Sequence, residues 1–250
     1  MAALFDTEIA IYALLALPIL WLLLRHGPAG LLGWLYLFIF CGLRIVGGVL
    51  VIKGKPAGDI VASVGISPLL LAIDGILHEA RTYRKAVNSG NNLEWIFVGI
   101  FHVLVTSGIA LVAVGASNLE SAHPSSNDFT LVKAGMGVLE ACWVILALWA
   151  VSSLFSKSRN ALAYKEGTTL LYSVFLALPL AEIRVVYSLV AECTQKADLN
   201  PVTGSLAVRV VLSFLPELFI TLIFVVAGAV TRNVPDPRDS KRRNQAVVVI

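Results

Sequence analysis

Long apolar runs alternate along this chain with short polar intervals. Seven runs stand at roughly 9–24, 30–52, 59–77, 94–116, 132–154, 168–191 and 206–230, most of them near the ~20 residues a helix needs to cross a bilayer. The pattern predicts an all-α polytopic bundle of seven transmembrane helices over residues 1–230, followed by a basic tail, 231–250, expected to be disordered. The first run is short and holds Pro18, and the third holds Pro68, so either is open to tilting or re-entry. No basic region precedes the first run, so no cleavable signal peptide is expected.

Composition and charge add a membrane and an orientation. The 250 residues are 58% hydrophobic and 14% charged, with a mean hydropathy of +0.84, where a soluble domain carries about 25% charged residues. Twelve basic residues, Arg25, Arg81, Arg84, Lys85, Lys157, Arg159, Lys165, Arg232, Arg238, Lys241, Arg242 and Arg243, would share one side. Lys53, Lys55, Lys133 and Lys196 would share the other, so the excess of positive charge inside predicts N-out and C-in. The tail reads as a solvated topology determinant whose basic run could also touch anionic lipid headgroups.

Charges within the runs carry the candidate chemistry. The stretch LALPLAEIRVVYSLVA, 176–191, holds Glu182, Arg184 and Tyr187 in a segment that otherwise suits hydrocarbon. On a rise of ~1.5 Å per residue, Glu217 falls near the midplane of the seventh span, with Arg44, Glu140 and Glu182 ~4 Å toward its outer side. Arg184 and Arg209 lie further out, Asp74 lies in the inner half of the third span, and His102 lies inside the midplane of the fourth. A charge at mid-membrane costs ~2.5 to 3.5 kcal/mol on insertion scales, so these groups should face the bundle interior and find partners. Glu182 and Arg184, ~200° apart around a helix, must find different ones, whereas Arg184 and Tyr187 can share a face. Three acids and three bases at one depth suit buried ion pairs that fix helix register. They equally suit a polar cavity opening toward the outer side, because Pro179 and Pro216 interrupt the backbone ladder just before Glu182 and Glu217. His102 alone reads as a packed polar residue.

Several chemistries lack their residues. No HExxH, paired CxxC or DDxxD-like segment occurs, so no metal is expected. The seventh run has no lysine for a retinal Schiff base, no G-x-S-x-G offers a serine nucleophile, and GMGVLE at 135–140 lacks the third glycine of a nucleotide loop. Cys41, Cys142 and Cys193 make no disulfide framework. Basic residues do not interleave with exposed aromatics, which argues against nucleic acid as a partner. Gly47 with Gly48, and Gly135 with Gly137, are expected to permit close helix packing.

RHGPAGLLGWLYLFIFCGLRIVGG, 25–48, followed by GISPLLLAIDGIL, 65–77, resembles a widespread fungal family of seven-helix integral membrane proteins whose domain is labelled as of unknown function. The RHG turn, Gly33-Trp34, Arg44 and Ser67-Pro68-Leu69 carry the resemblance, and Arg184, Tyr187 and Ser188 fit its later pattern. It implies the fold and a fungal origin and supplies no mechanism. In size and helix number the chain is also similar to the small integral-membrane terpene cyclases of fungal meroterpenoid and indole-diterpene pathways. It lacks their paired Trp-Glu signature and has Asp74 in the third helix.

The resulting expectation is a membrane enzyme that needs no cofactor and acts on a hydrophobic small molecule drawn from the membrane lipids around it. A protonated Asp74, Glu182 or Glu217 would start cyclisation or isomerisation of a prenylated or terpenoid substrate. Arg44, Glu140, Arg184, Tyr187, Trp143 and Phe214 would line its site, the aromatics facing a developing carbocation. Neighbouring arginines oppose an acid role for Glu182 and Glu217, which leaves Asp74 the better donor. Because such substrates arise there, the endoplasmic reticulum membrane is the preferred location. A seven-helix sensor or receptor, and a small transporter or lipid-handling protein, are the alternatives. The short N-terminal tail and the segment HEARTYRK weigh against a receptor.

Overall fold

A computed structural model describes residues 2–55, 57–58, 61, 65–84, 92–119, 125–155, 161 and 163–233. The expected disorder of the basic tail therefore concerns residues almost all of which, 234–250, lie outside the described ones. The helices are α1 (Ala2–Arg25), α2 (Gly27–Ile52), α3 (Ile66–Arg84), α4 (Asn92–Leu119), α5 (Ser126–Phe155), α6 (Tyr164–Thr194) and α7 (Leu206–Thr231). A single 3-10 turn, Ala197–Leu199, lies between α6 and α7, and no strand occurs among the described residues.

Local chemistry sets the element boundaries. Between α1 and α2, Gly27 adopts φ +62°, a left-handed conformation that only glycine enters freely, and Pro28 then occupies the first turn of α2, where its missing N–H costs nothing. At the other end of the bundle α6 stops at Gln195, also left-handed, whose N–H closes onto the Ala191 carbonyl. Pro18 and Pro179 sit inside unbroken α1 and α6. In α7 the residues Val210–Phe214 form a π turn immediately ahead of Pro216. The wider turn shifts the carbonyl register at the point where Pro216 can donate no hydrogen bond.

All helices except α3 are long and apolar enough to cross a membrane. Their outward faces present Leu14, Leu17, Ile96, Val103, Leu148 and Val226 to the surroundings, a surface suited to lipid and not to water. The third apolar run does not coincide with its helix. The sequence placed a span at 59–77, whereas α3 covers Ile66–Arg84, with only Arg81 and Thr82 not buried. Enclosed by α2, α4, α5 and α6, α3 meets protein on its sides, so it tolerates Asp74, His78, Glu79, Arg81 and Arg84, which a lipid-facing helix would reject. Pro68 falls in its first turn and causes no re-entry.

Glycines fix how tightly the helices meet. A Cβ on Gly75 would lie 2.3 Å from the Gly33 amide nitrogen, so α2 and α3 touch backbone to backbone. A Cβ on Gly135 would lie 2.6 Å from the Gly108 carbonyl, which joins α4 to α5 in the same way. Gly137 faces open space, so the expected Gly135 and Gly137 pair is corrected to Gly135 with Gly108, because residues two apart occupy different faces.

Candidate functional site

The acids and bases expected to pair one-to-one separate into groups. In the first, Glu217 of α7 accepts hydrogen bonds from Arg44 of α2 and from Arg184 of α6, the latter at 2.6 Å. Glu217 and Arg184 are each only 1% exposed. Arg184 also donates to Ser188, one turn along α6, and its guanidinium lies over the Tyr187 ring. The Tyr187 hydroxyl donates to the Leu199 carbonyl at 2.9 Å. Phe214 packs edge-on against Tyr12, which also meets Phe40 at 5.4 Å. Glu217 is thus a carboxylate held between two guanidiniums, the geometry of a charged anchor.

The second group joins α5 to α6. Glu140 and Glu182 lie close enough across that junction to interact, and one carboxyl oxygen of each is buried without a hydrogen-bond partner. Trp143, one turn along α5 from Glu140, donates its indole N–H to the Leu178 carbonyl at 3.0 Å. Glu182 and Arg184 therefore have different partners on different faces of α6. The six groups at that depth therefore do not all form acid–base pairs, since Glu140 and Glu182 adjoin each other.

Asp74 forms the third group. It is fully buried on α3, and neither carboxyl oxygen has a hydrogen-bond partner. His102 of α4 stands nearest, with Nδ1 3.5 Å from Oδ2. Because that nitrogen also contacts the Val98 carbonyl at 2.8 Å, it carries a hydrogen, and Nε2 is buried without a hydrogen-bond partner. His102 is thus a polar residue packed beside Asp74 and bonded to its own helix. Tyr36 of α2 stacks at a tilt on its ring, 5.2 Å between centroids.

A fourth group was not anticipated. His26, in the link between α1 and α2, places Nδ1 2.6 Å from Glu79 Oε1 and Nε2 3.0 Å from the Gly228 carbonyl. Trp34 donates to the other oxygen of Glu79 at 3.0 Å, and Tyr83 donates to the His26 carbonyl. A carboxylate and a carbonyl both only accept, so both ring nitrogens must carry hydrogen to fill them. Burial alone disfavours the imidazolium, but Glu79 and the Gly228 carbonyl outweigh it and hold the His26 pKa above its ordinary value. The sequence signals were the RHG turn and Trp34. Their partner Glu79 escaped notice because the third span was ended at residue 77, which left Glu79 in a loop.

Arg81 and Arg84, counted as loop charges, are likewise inside the bundle's end. Arg81 donates to Glu94 at 2.9 Å and to Ser153 at 2.6 Å, and Arg84 donates to the Ser153 carbonyl at 2.8 Å. Among the described residues no three of His, Cys, Asp and Glu converge as metal ligands would. Recesses beside the first group are water-sized. One, with room of ≈ 10 Å³, is lined by Phe5, Glu8, Leu43, Arg44, Gly47 and Gly65, and another, of ≈ 10 Å³, adjoins Tyr187 and Ser188.

A family model described as a domain of unknown function matches residues 6–234, nearly the whole chain. No curated protein and no solved structure matches it.

Proposed function

The chain belongs to that family, DUF7702, and on this premise we propose that it is a membrane enzyme of fungal secondary metabolism that uses Asp74 as a proton donor and needs no cofactor. One observation carries the reading: Asp74 is buried in the enclosed central helix with neither carboxyl oxygen hydrogen bonded. An apolar interior accommodates such a group as the neutral acid, the form that can give up a proton. Glu217, held between the guanidiniums of Arg44 and Arg184, is unsuited to that task, and Glu182 beside Glu140 is the second candidate.

The proposed substrate is a prenylated or terpenoid molecule dissolved in the bilayer. Asp74 transfers its proton to an epoxide oxygen or alkene carbon, and the resulting carbocation is captured by a second double bond of the same molecule. Loss of a proton back to the Asp74 carboxylate restores the acid and leaves an isomer of the substrate. The His102 ring, whose Nδ1 is 3.5 Å away, steadies the transient carboxylate by turning its N–H from the Val98 carbonyl toward Asp74. We place the protein in the endoplasmic reticulum membrane with its N-terminus lumenal, on the distribution of basic residues and the source of such substrates.

Metabolite profiling of a host given a prenylated epoxide tests this. Wild type should yield a cyclised or rearranged isomer, and Asp74→Asn at equal membrane abundance should abolish it. Failure of a folded wild type to convert any of several precursors would sink the enzyme reading. The buried ion pairs that join α2, α6 and α7 support a second reading, in which the same charges bias a conformational equilibrium in a sensor or small transporter.

A further inference from the structure

The cluster around Glu217 holds more positive than negative charge. Arg44, Arg184 and Arg209 face two carboxylates, Glu217 and Glu8, and all five side chains are buried. Glu8 lines one recess with Arg44, and Arg209 lies over Phe5 of that same recess, which puts the charges in one neighbourhood. Donors in this assembly also lack acceptors: Arg44 Nε, Arg209 Nη1 and the Tyr12 hydroxyl are buried with no hydrogen-bond partner. Unfilled donors of a buried cation are costly unless a further acceptor visits them.

The recess described above leads to this assembly. Arg44 and Glu8 line it beside Phe5, Gly47 and Gly65. The Arg209 guanidinium lies 4.6 Å from the centroid of the Phe5 ring. Gly65 passes close to Arg44, where a Cβ would stand 3.0 Å from its guanidinium, so the absent side chain leaves the arginine uncovered. Apart from Glu8 and Arg44 the lining is apolar, and the outer faces of the helices are suited to lipid. We infer that Arg44, Arg209 and Tyr12 form a binding site for the anionic head group of an amphiphile, a carboxylate or phosphate on an apolar tail. Glu8, on the wall of the same recess, is the negative charge that opposes the head group. The site is separate from the proposed proton donor, about 13 Å along the chain's rise from Gly65 to Asp74.

The test uses the full chain in nanodiscs of zwitterionic phosphatidylcholine, titrated with radiolabelled oleate, with inorganic phosphate as a second arm and empty discs as the blank. Oleate should bind saturably above the blank. Arg209→Gln should weaken it about tenfold or more, the loss expected for a charged hydrogen bond. Tyr12→Phe, which removes one unfilled hydroxyl and disturbs little else, should weaken it several-fold, and Glu8→Gln should tighten it. Equal uptake by wild type, Tyr12→Phe and Glu8→Gln would mean simple partition into lipid and overturn the site. Binding of phosphate without oleate would overturn the amphiphile. Asp74→Asn should bind oleate as wild type does, so failure here and failure of the enzyme reading are told apart.

Discussion

Glu217 accepts from two guanidiniums on two other helices, and its loss strands both of them in the bundle. Glu217→Gln should therefore lower stability by on the order of 3 kcal/mol, read as a fall in melting temperature in detergent, whatever it does to activity. A Gln that melts like wild type would show that water already screens the pair. His26 offers a different measurement. Its raised pKa means that the imidazolium contact with Glu79 contributes fully below the unfolded value, about 6.5, and is lost as pH rises through the folded one. Melting temperature should drop as pH climbs from about 6 to about 9, and Glu79→Gln should flatten that drop. At this scale the sequence was readable in part: buried ionisable residues stood out against apolar runs, as Asp74, Glu182 and Glu217 did. Which of them pair did not, because Arg44 and Glu217 are 173 residues apart and no local periodicity encodes which helix faces are brought together.

Among elements, α3 and its neighbours meet through missing side chains. Gly75→Ala would push a methyl into the α2 backbone and should cost about 1 to 3 kcal/mol, whereas Gly137→Ala, with nothing within 4 Å, should be neutral or stabilising. Paired melting curves decide it, and equal effects would contradict the backbone contact. Six of the helices were legible as apolar runs because hydropathy senses contact with lipid, which is what those runs face. The end of α3 was not legible for the converse reason. Its last turns, from His78 to Arg84, meet Trp95, Glu94, Ser153 and Tyr164 in place of hydrocarbon, and a polar stretch of sequence looks the same whether protein or water surrounds it. The π turn of α7 was signalled only by Pro216, whose effect on the carbonyl register depends on the residues before it.

For the whole molecule, the orientation read from the basic residues is open to one labelling experiment. Cys193, at the end of α6, is exposed, while Cys41 and Cys142 are buried. With the N-terminus lumenal, a membrane-impermeant maleimide should modify Cys193 only after microsomes are permeabilised, and labelling of sealed microsomes would reverse the assignment. Enclosure of α3 also governs how the protein is made. A nascent chain emerges in order, yet α3 is too polar to partition into lipid unaided, and its main partner besides α2 is α6, translated some 80 residues later. Until α6 arrives, one of the faces that enclose α3 has no protein against it. A chain truncated before α6 should therefore leave α3 open to added protease at Arg81 and Arg84, whereas the full chain resists, and equal resistance would show that the earlier helices enclose it unaided.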